Sequence, residues 1–179
     1  LAKNLTLKEA QKEDGTTNVV KKNEILFAST GVIGEKFPAQ QIKGSVPNLV
    51  DKLRDKQNKF VWFKAASSIM TTDTRPKLAY EECRIWNKDI RLCGIAKGSG
   101  MISPNLGTML SFVFTDADIP SVYLKSLLKK AVANSFNAIT VDSDTSTNDM
   151  VAIFSTNKIK TGKIYNVLDP KLKDFENAL

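Results

Sequence analysis

The stretch Gly94–Asp116, GIAKGSGMISPNLGTMLSFVFTD, constrains the fold more than any other part of this chain. It reads as the end of one strand, a glycine-broken loop and the start of a second strand. Pro104 holds Ser103 extended and stops a helix from running through the loop. From Thr108 onward the residues alternate: Thr108, Leu110, Phe112 and Phe114 share one face, and Met109, Ser111 and Val113 share the other. Gly107 places no side chain beside the peptide bond that enters Thr108, so that bond can bend where other residues resist. Two readings stay open. One is an ordinary hairpin loop entering a core strand. The other is a hydroxyl nucleophile at the mouth of a buried strand, behind a distortable bond.

The chain has 179 residues and no histidine. That absence removes the Ser-His-Asp triad, the Cys-His pair and every His-based metal site, so a hydroxyl nucleophile here needs another base and no metal site is expected. The length suits one core and suggests one domain, 1–179, or the central part of one. A net charge of +7 raises nucleic acid as a partner, but the lysines spread from Lys3 to Lys173 without an Arg-rich block or aromatic-basic interleaving. A solvated lysine-rich surface suited to small anions is the reading adopted, with no nucleic acid as partner. No run is long and apolar enough for a membrane span, and the first residues do not form a signal peptide. Cys83 and Cys93 make no CxxC pair and are expected as small reduced residues in strands, in keeping with a cytoplasmic location.

Along the chain, Leu1–Asp14 is expected as a helix and Gly15 to Asn23 as a polar connection. Ile25–Ser29 is expected as a short apolar strand ending in Thr30-Gly31. That turn either aims backbone N–H groups at a developing oxyanion or is a plain strand-to-helix turn. A helix from Pro38 is expected to break near Gly44 and restart at Pro47, with Leu49, Val50 and Leu53 on one side. Phe60–Met70 is expected as a core helix with Phe60, Phe63 and Ala66 on its buried face, followed by a polar loop over Thr71–Lys77. Leu78–Ile85 and Asp89–Ala96 read as a hairpin about Asn87-Lys88-Asp89. Asp118 is expected to cap a helix over Pro120–Ser135 with Tyr123, Leu124, Leu127, Leu128 and Ala131 buried and Lys125, Lys129 and Lys130 in water. Phe136–Val141 and Met150–Phe154 are expected as strands, and Asp169-Pro170 as the start of a last helical segment. Asp142-Ser143-Asp144 fails as a calcium loop, because Thr147 stands where glycine is needed and Ile153 where glutamate should bind. The layout points to an α+β fold of layered sheets covered by helices.

The segment Gly94–Asn105 followed by Thr108-Met109-Leu110 resembles the self-cleavage segment of the ornithine acetyltransferase (glutamate N-acetyltransferase) family. Ser29–Gly34 (STGVIG), Ile69–Lys77 (IMTTDTRPK) and Val141–Asp149 (VDSDTSTND) match the same family in the same order. The family's proteins are longer, and this chain resembles their middle. The resemblance implies an N-terminal-nucleophile-like acetyltransferase fold, of which this would be a fragment. It divides the chain into 1–107, the end of an α chain, and 108–179, the start of a β chain, after self-cleavage between Gly107 and Thr108. It further implies Thr108 as nucleophile and substrate contact, Thr30 and Gly31 as the oxyanion hole, and Thr74 and Lys97 on the substrate. Where the family more often has alanine, this chain has Gly107. The family's further acidic and polar site residues are expected beyond Leu179.

The implied activity is transfer of acetyl from N-acetylornithine to glutamate in arginine biosynthesis, through an acetyl-threonine. The self-freed α-amine of Thr108 would act as the base that histidine cannot supply. No cofactor is expected, acetyl-CoA stays open as an alternative donor, and an α/β heterotetramer of self-cleaved chains is the implied assembly. Two alternatives are an N-terminal-nucleophile aminopeptidase and a non-catalytic basic binding module.

Overall fold

A computed structural model describes residues 10–11, 17–18, 25–31, 34–52, 58–99, 109–139 and 148–179. The chain divides into two units, Leu1–Asn58 and Lys59–Leu179. In the first, β1 (Ala10–Gln11) pairs antiparallel with β2 (Thr17–Asn18). Ala10–Gln11 is therefore strand where a helix over Leu1–Asp14 was expected, and Thr17–Asn18 is strand where a polar connection was expected. An isolated helix of that length is marginal in water, and the β1–β2 pairing takes its place at Ala10–Gln11. Residues 25–30 carry no strand: an apolar run needs a neighbouring ladder to become one, and Leu26 and Phe27 stand exposed. Helix α1 (Ala39–Lys52) runs through Gly44 and Pro47 instead of breaking between them. Pro47 removes one intrahelical N–H, and the Ser45 hydroxyl bonds back to the Gln41 carbonyl at 3.1 Å. Leu49, on the apolar side of that helix, is exposed.

The second unit is built on one mixed sheet. β3 (Lys77–Ile85) and β4 (Lys88–Lys97) form an antiparallel hairpin. β5 (Leu110–Ala117) lies antiparallel to β4, and β6 (Met150–Ile159) lies parallel to β5, giving the order β3-β4-β5-β6. Helix α3 (Ser121–Asn134) is the crossover that the parallel β5–β6 pair requires. The hairpin turn falls on Trp86-Asn87, so Lys88 and Asp89 belong to β4 and not to the turn. Trp86 takes φ 59°, the positive value that a two-residue hairpin loop demands at its first position.

Register sorts the side chains into two faces. Ile85, Ile90, Leu92 and Ala117 join Ile119, Leu124 and Leu127 of the α3 segment and Leu172 and Phe175 near the C-terminus in one core. Leu172 ends a 3-10 turn capped by Asp169, and Phe175 lies on α4 (Lys173–Ala178), as the Asp169-Pro170 signal predicts. The other face carries Cys93, Ile95, Leu110, Phe112 and Phe114, paired across β4 and β5. Helix α2 (Lys59–Ser68) covers it: the Trp62 ring meets Phe114 at 5.1 Å, and Phe114 stacks on Phe154 at 5.3 Å. The result is helix, sheet, helix. Burying one such apolar side chain stabilises by about 1.5–3 kcal/mol.

Several expectations are corrected here. Phe60 and Phe63 are exposed, and α2 buries the stripe through Trp62 and Ala66, because the aromatic partner on the sheet is Phe114. Pro120, not Asp118, precedes α3. Asp118 is held elsewhere: its N–H donates to Ile159, its carbonyl accepts from Thr161, and its carboxylate pairs with Lys160 at 2.9 Å. Phe136–Ala138 is a 3-10 turn closed by bonds to Ser135 and Phe136 carbonyls, where a strand was expected. The expected stripe of α3 does face the core, with Leu124 and Leu127 buried and Lys125, Lys129 and Lys130 exposed. Cys83 and Cys93 are free thiols on β3 and β4. Among the described residues no helix is long and apolar enough to cross a membrane.

Candidate active site

At the end of the sheet away from the Trp86 turn, Lys97 closes β4 and pairs with Leu110, the first residue of β5. A lysine at a strand end is ordinarily solvated, yet Lys97 is 1% exposed. The loop that follows α2 folds over it. Lys97 Nζ donates to the Thr71 hydroxyl at 3.2 Å, and the buried Asp73 lies beside both. The Asp73 carboxylate accepts the Gly98 N–H at 2.8 Å, the Thr71 N–H at 3.4 Å, and an ion-paired hydrogen bond from Lys77. The Ser99 hydroxyl adds a bond to the Thr72 carbonyl at 3.1 Å. The loop after α2 and the loop after β4 are thereby locked together.

These contacts set the charges. Burial pushes the Asp73 carboxyl up, but the bonds from Lys77, Gly98 and Thr71 together with the Lys77 charge outweigh it and hold the group below the usual carboxylate range. Burial pushes the Lys97 ammonium below the usual lysine range, and the negative charge of Asp73 opposes part of that shift.

The entry to β5 is fixed as closely. Gly98 has φ +132°, and a Cβ there would lie 3.1 Å from both Cα and Cβ of Met109. The Met109 N–H donates to Asp149 Oδ1 at 2.9 Å, and its carbonyl accepts from Met150 at 3.0 Å. Met109 is thus clamped between the turn before β6 and the glycine after Lys97.

Of the residues singled out in the sequence, Lys97 lies at the centre of this cluster. Thr74 is exposed on the same polar loop, one residue after Asp73. Gly107 and Thr108 lie outside the described residues, immediately before the clamped Met109. Thr30 is half-buried and Gly31 exposed in the first unit. Asp73 and Asp149 were missed. The signal for Asp73 was a carboxylate among hydroxyls with a lysine four residues on; for Asp149 it was the acid that ends the VDSDTSTND stretch.

The fold and this cluster define a mixed-sheet, helix-covered α/β protein with a buried lysine-aspartate centre at a strand mouth. The chain belongs to the ArgJ family, which it matches over residues 4–179. It is 48% identical over 160 residues to the arginine biosynthesis bifunctional protein ArgJ of Bartonella henselae, covering 89% of this chain and 38% of that protein. It is 43% identical to the protein of the same name from Rhizobium meliloti, over 99% of this chain and 42% of the relative. The Chlorobaculum tepidum ArgJ protein is 51% identical over 75% of this chain and 32% of its own length. The chain therefore spans about two fifths or less of the length of these curated relatives.

Proposed function

We propose that this chain carries the acetyl-transfer centre of an arginine-biosynthesis acetyltransferase that moves acetyl from N-acetylornithine to glutamate. The observation that carries the reading is the buried ammonium of Lys97, held in register with Leu110, two residues after Thr108 in the chain. Family membership and the printed names of the relatives support it. The helix-covered sheet supports, as its finer form, an N-terminal-nucleophile-like fold.

In the proposed sequence, Thr108 Oγ attacks the Gly107 carbonyl carbon, and the C–N bond breaks as the ester forms. Water cleaves the ester, leaving a Gly107 carboxylate, the restored Thr108 hydroxyl and a free Thr108 α-amine. An unperturbed α-amine titrates at about 7.7–8.0, so it serves as general base near neutral pH. It takes the hydroxyl proton as Oγ attacks the acetyl carbonyl, Thr30 and Gly31 hold the oxyanion, and the proton passes to departing ornithine. The glutamate amine then attacks the acetyl-threonine and carries the acetyl group away. Lys97 and Thr74 receive the amino-acid portion, a flexible ammonium being suited to a carboxylate. The same reading takes the assembly as an α/β heterotetramer in the cytoplasm, with no cofactor, and an assay with acetyl-CoA in place of N-acetylornithine decides whether it also serves as donor.

The test is ornithine release from N-acetylornithine by the full-length protein, with and without glutamate, beside hydrolysis of peptide substrates. Glutamate-dependent acetyl transfer is expected, lost in Thr108→Ala and partly kept in Thr108→Ser. A wild-type rate in Thr108→Ala, or peptide hydrolysis in place of transfer, overturns the proposal.

A further inference from the structure

We infer that Asp73 is the positioning residue for Lys97, presetting its ammonium to receive the carboxylate of an amino-acid substrate; this rests on the substrate-binding role proposed for Lys97. One carboxylate ties together the two backbone segments that flank that ammonium. It accepts the N–H of Gly98, the residue next to Lys97 in the chain. It accepts the N–H of Thr71, whose hydroxyl receives Lys97 Nζ. Its charge favours the ammonium form that burial opposes. Lys77 closes the solvent side of the carboxylate, with the Asp73 side chain fully buried and the Lys77 side chain 47% exposed. The charged side chains of the loop over Lys97 are Asp73, Arg75 and Lys77, of which Arg75 is exposed. Lys59 and Lys64 of α2 lie over the Tyr80 and Phe60 rings, and Asp149, before β6, has its Oδ1 taken by the Met109 N–H.

The sign of the charge effect is fixed. An ammonium binds a carboxylate and an amine does not, so affinity falls as pH rises through the Lys97 titration. Removing the Asp73 charge moves that titration to lower pH. Asp73→Asn keeps the shape and loses the charge, and Asp73→Glu restores the charge at a longer reach.

The experiment compares full-length wild type, Asp73→Asn, Asp73→Glu and Thr71→Val, each checked for folding by circular dichroism. Two readouts are taken: steady-state kinetics with N-acetylornithine from pH 6 to 10, and the Lys97 titration followed by NMR of labelled lysine without substrate. Asp73→Asn is expected to raise KM roughly tenfold or more, the scale of a lost hydrogen bond to a charged group, with a smaller fall in kcat. Its rise in KM with pH is expected to begin at lower pH, and its Lys97 titration to move the same way. Asp73→Glu should recover part of both. A Lys97 titration unmoved in Asp73→Asn, or a loss confined to kcat, overturns the inference. If Asp73→Asn does not fold, Thr71→Val decides: it removes only the acceptor that Asp73 holds, so KM should rise, and an unchanged KM overturns the inference. If the wild type transfers no acetyl group, the proposed activity fails, while the NMR titration still decides the role of Asp73.

Discussion

Gly98→Ala should damage this protein more than any other glycine-to-alanine change in the second unit for which the geometry is described. At φ +132° the backbone occupies a region that only glycine enters readily, and forcing alanine into it costs about 1–3 kcal/mol. The new Cβ would also meet Met109 Cα and Cβ at 3.1 Å. Met109 cannot recede freely, because its N–H is bonded to Asp149 at 2.9 Å and its carbonyl to Met150 at 3.0 Å. Overpacking against a fixed neighbour adds about 1–3 kcal/mol. The sum, about 2–6 kcal/mol, corresponds to a Tm loss of roughly 4–24 °C for a chain of this size. Gly162→Ala separates the two contributions: φ is +75° there, but nothing lies within 4 Å of the added carbon. It should cost about 1–2 kcal/mol, the backbone contribution alone. Urea unfolding of both variants by circular dichroism measures the difference, and a gel reports whether Gly98→Ala also slows the proposed self-cleavage. If Gly98→Ala costs no more than Gly162→Ala, the close approach to Met109 is not what requires glycine at position 98.

Thr30→Ala should lower kcat more than it raises KM; an oxyanion donor lost outright typically costs about 10²–10³ in kcat, and any backbone donor at Gly31 would survive and soften the loss. Steady-state kinetics decide it, and an effect confined to KM would make Thr30 a substrate contact only. Cys83 should resist alkylation at neutral pH. Burial, with the nearby Asp174 and Asp116 charges, pushes its thiol to about 11, so its thiolate population there is smaller than that of an ordinary thiol by about a hundredfold or more. Iodoacetamide labelling followed by mass spectrometry should show the rate climbing with pH toward that value, and rapid labelling at pH 7 would contradict the burial argument.

What could be read from the sequence was whatever a local pattern determines. The apolar spacing of Tyr123, Leu124, Leu127 and Leu128 marks the inner face of α3, and alternation fixes the two faces of β5. Choices among tertiary partners could not be read the same way. Phe60 and Phe63 are as apolar as Trp62, but only Trp62 finds the Phe114 ring, and no periodicity encodes that. Ile25–Ser29 has strand composition, yet among the described residues no strand pairs with it. Within the candidate site, the resemblance pointed to Lys97, but its burial was not legible, because it depends on a loop 26 residues earlier in the chain folding over it. Asp73 was missed for the same reason: its bond to Gly98 spans 25 residues, and only the fold closes that distance.

Whether Thr108 works from a free N-terminus, as proposed, is read from intact-mass analysis of the purified full-length protein together with N-terminal sequencing. Two chains are expected, the second beginning at Thr108, and one uncut chain in Thr108→Ala. A single uncut wild-type chain that transfers acetyl at full rate would contradict the proposal.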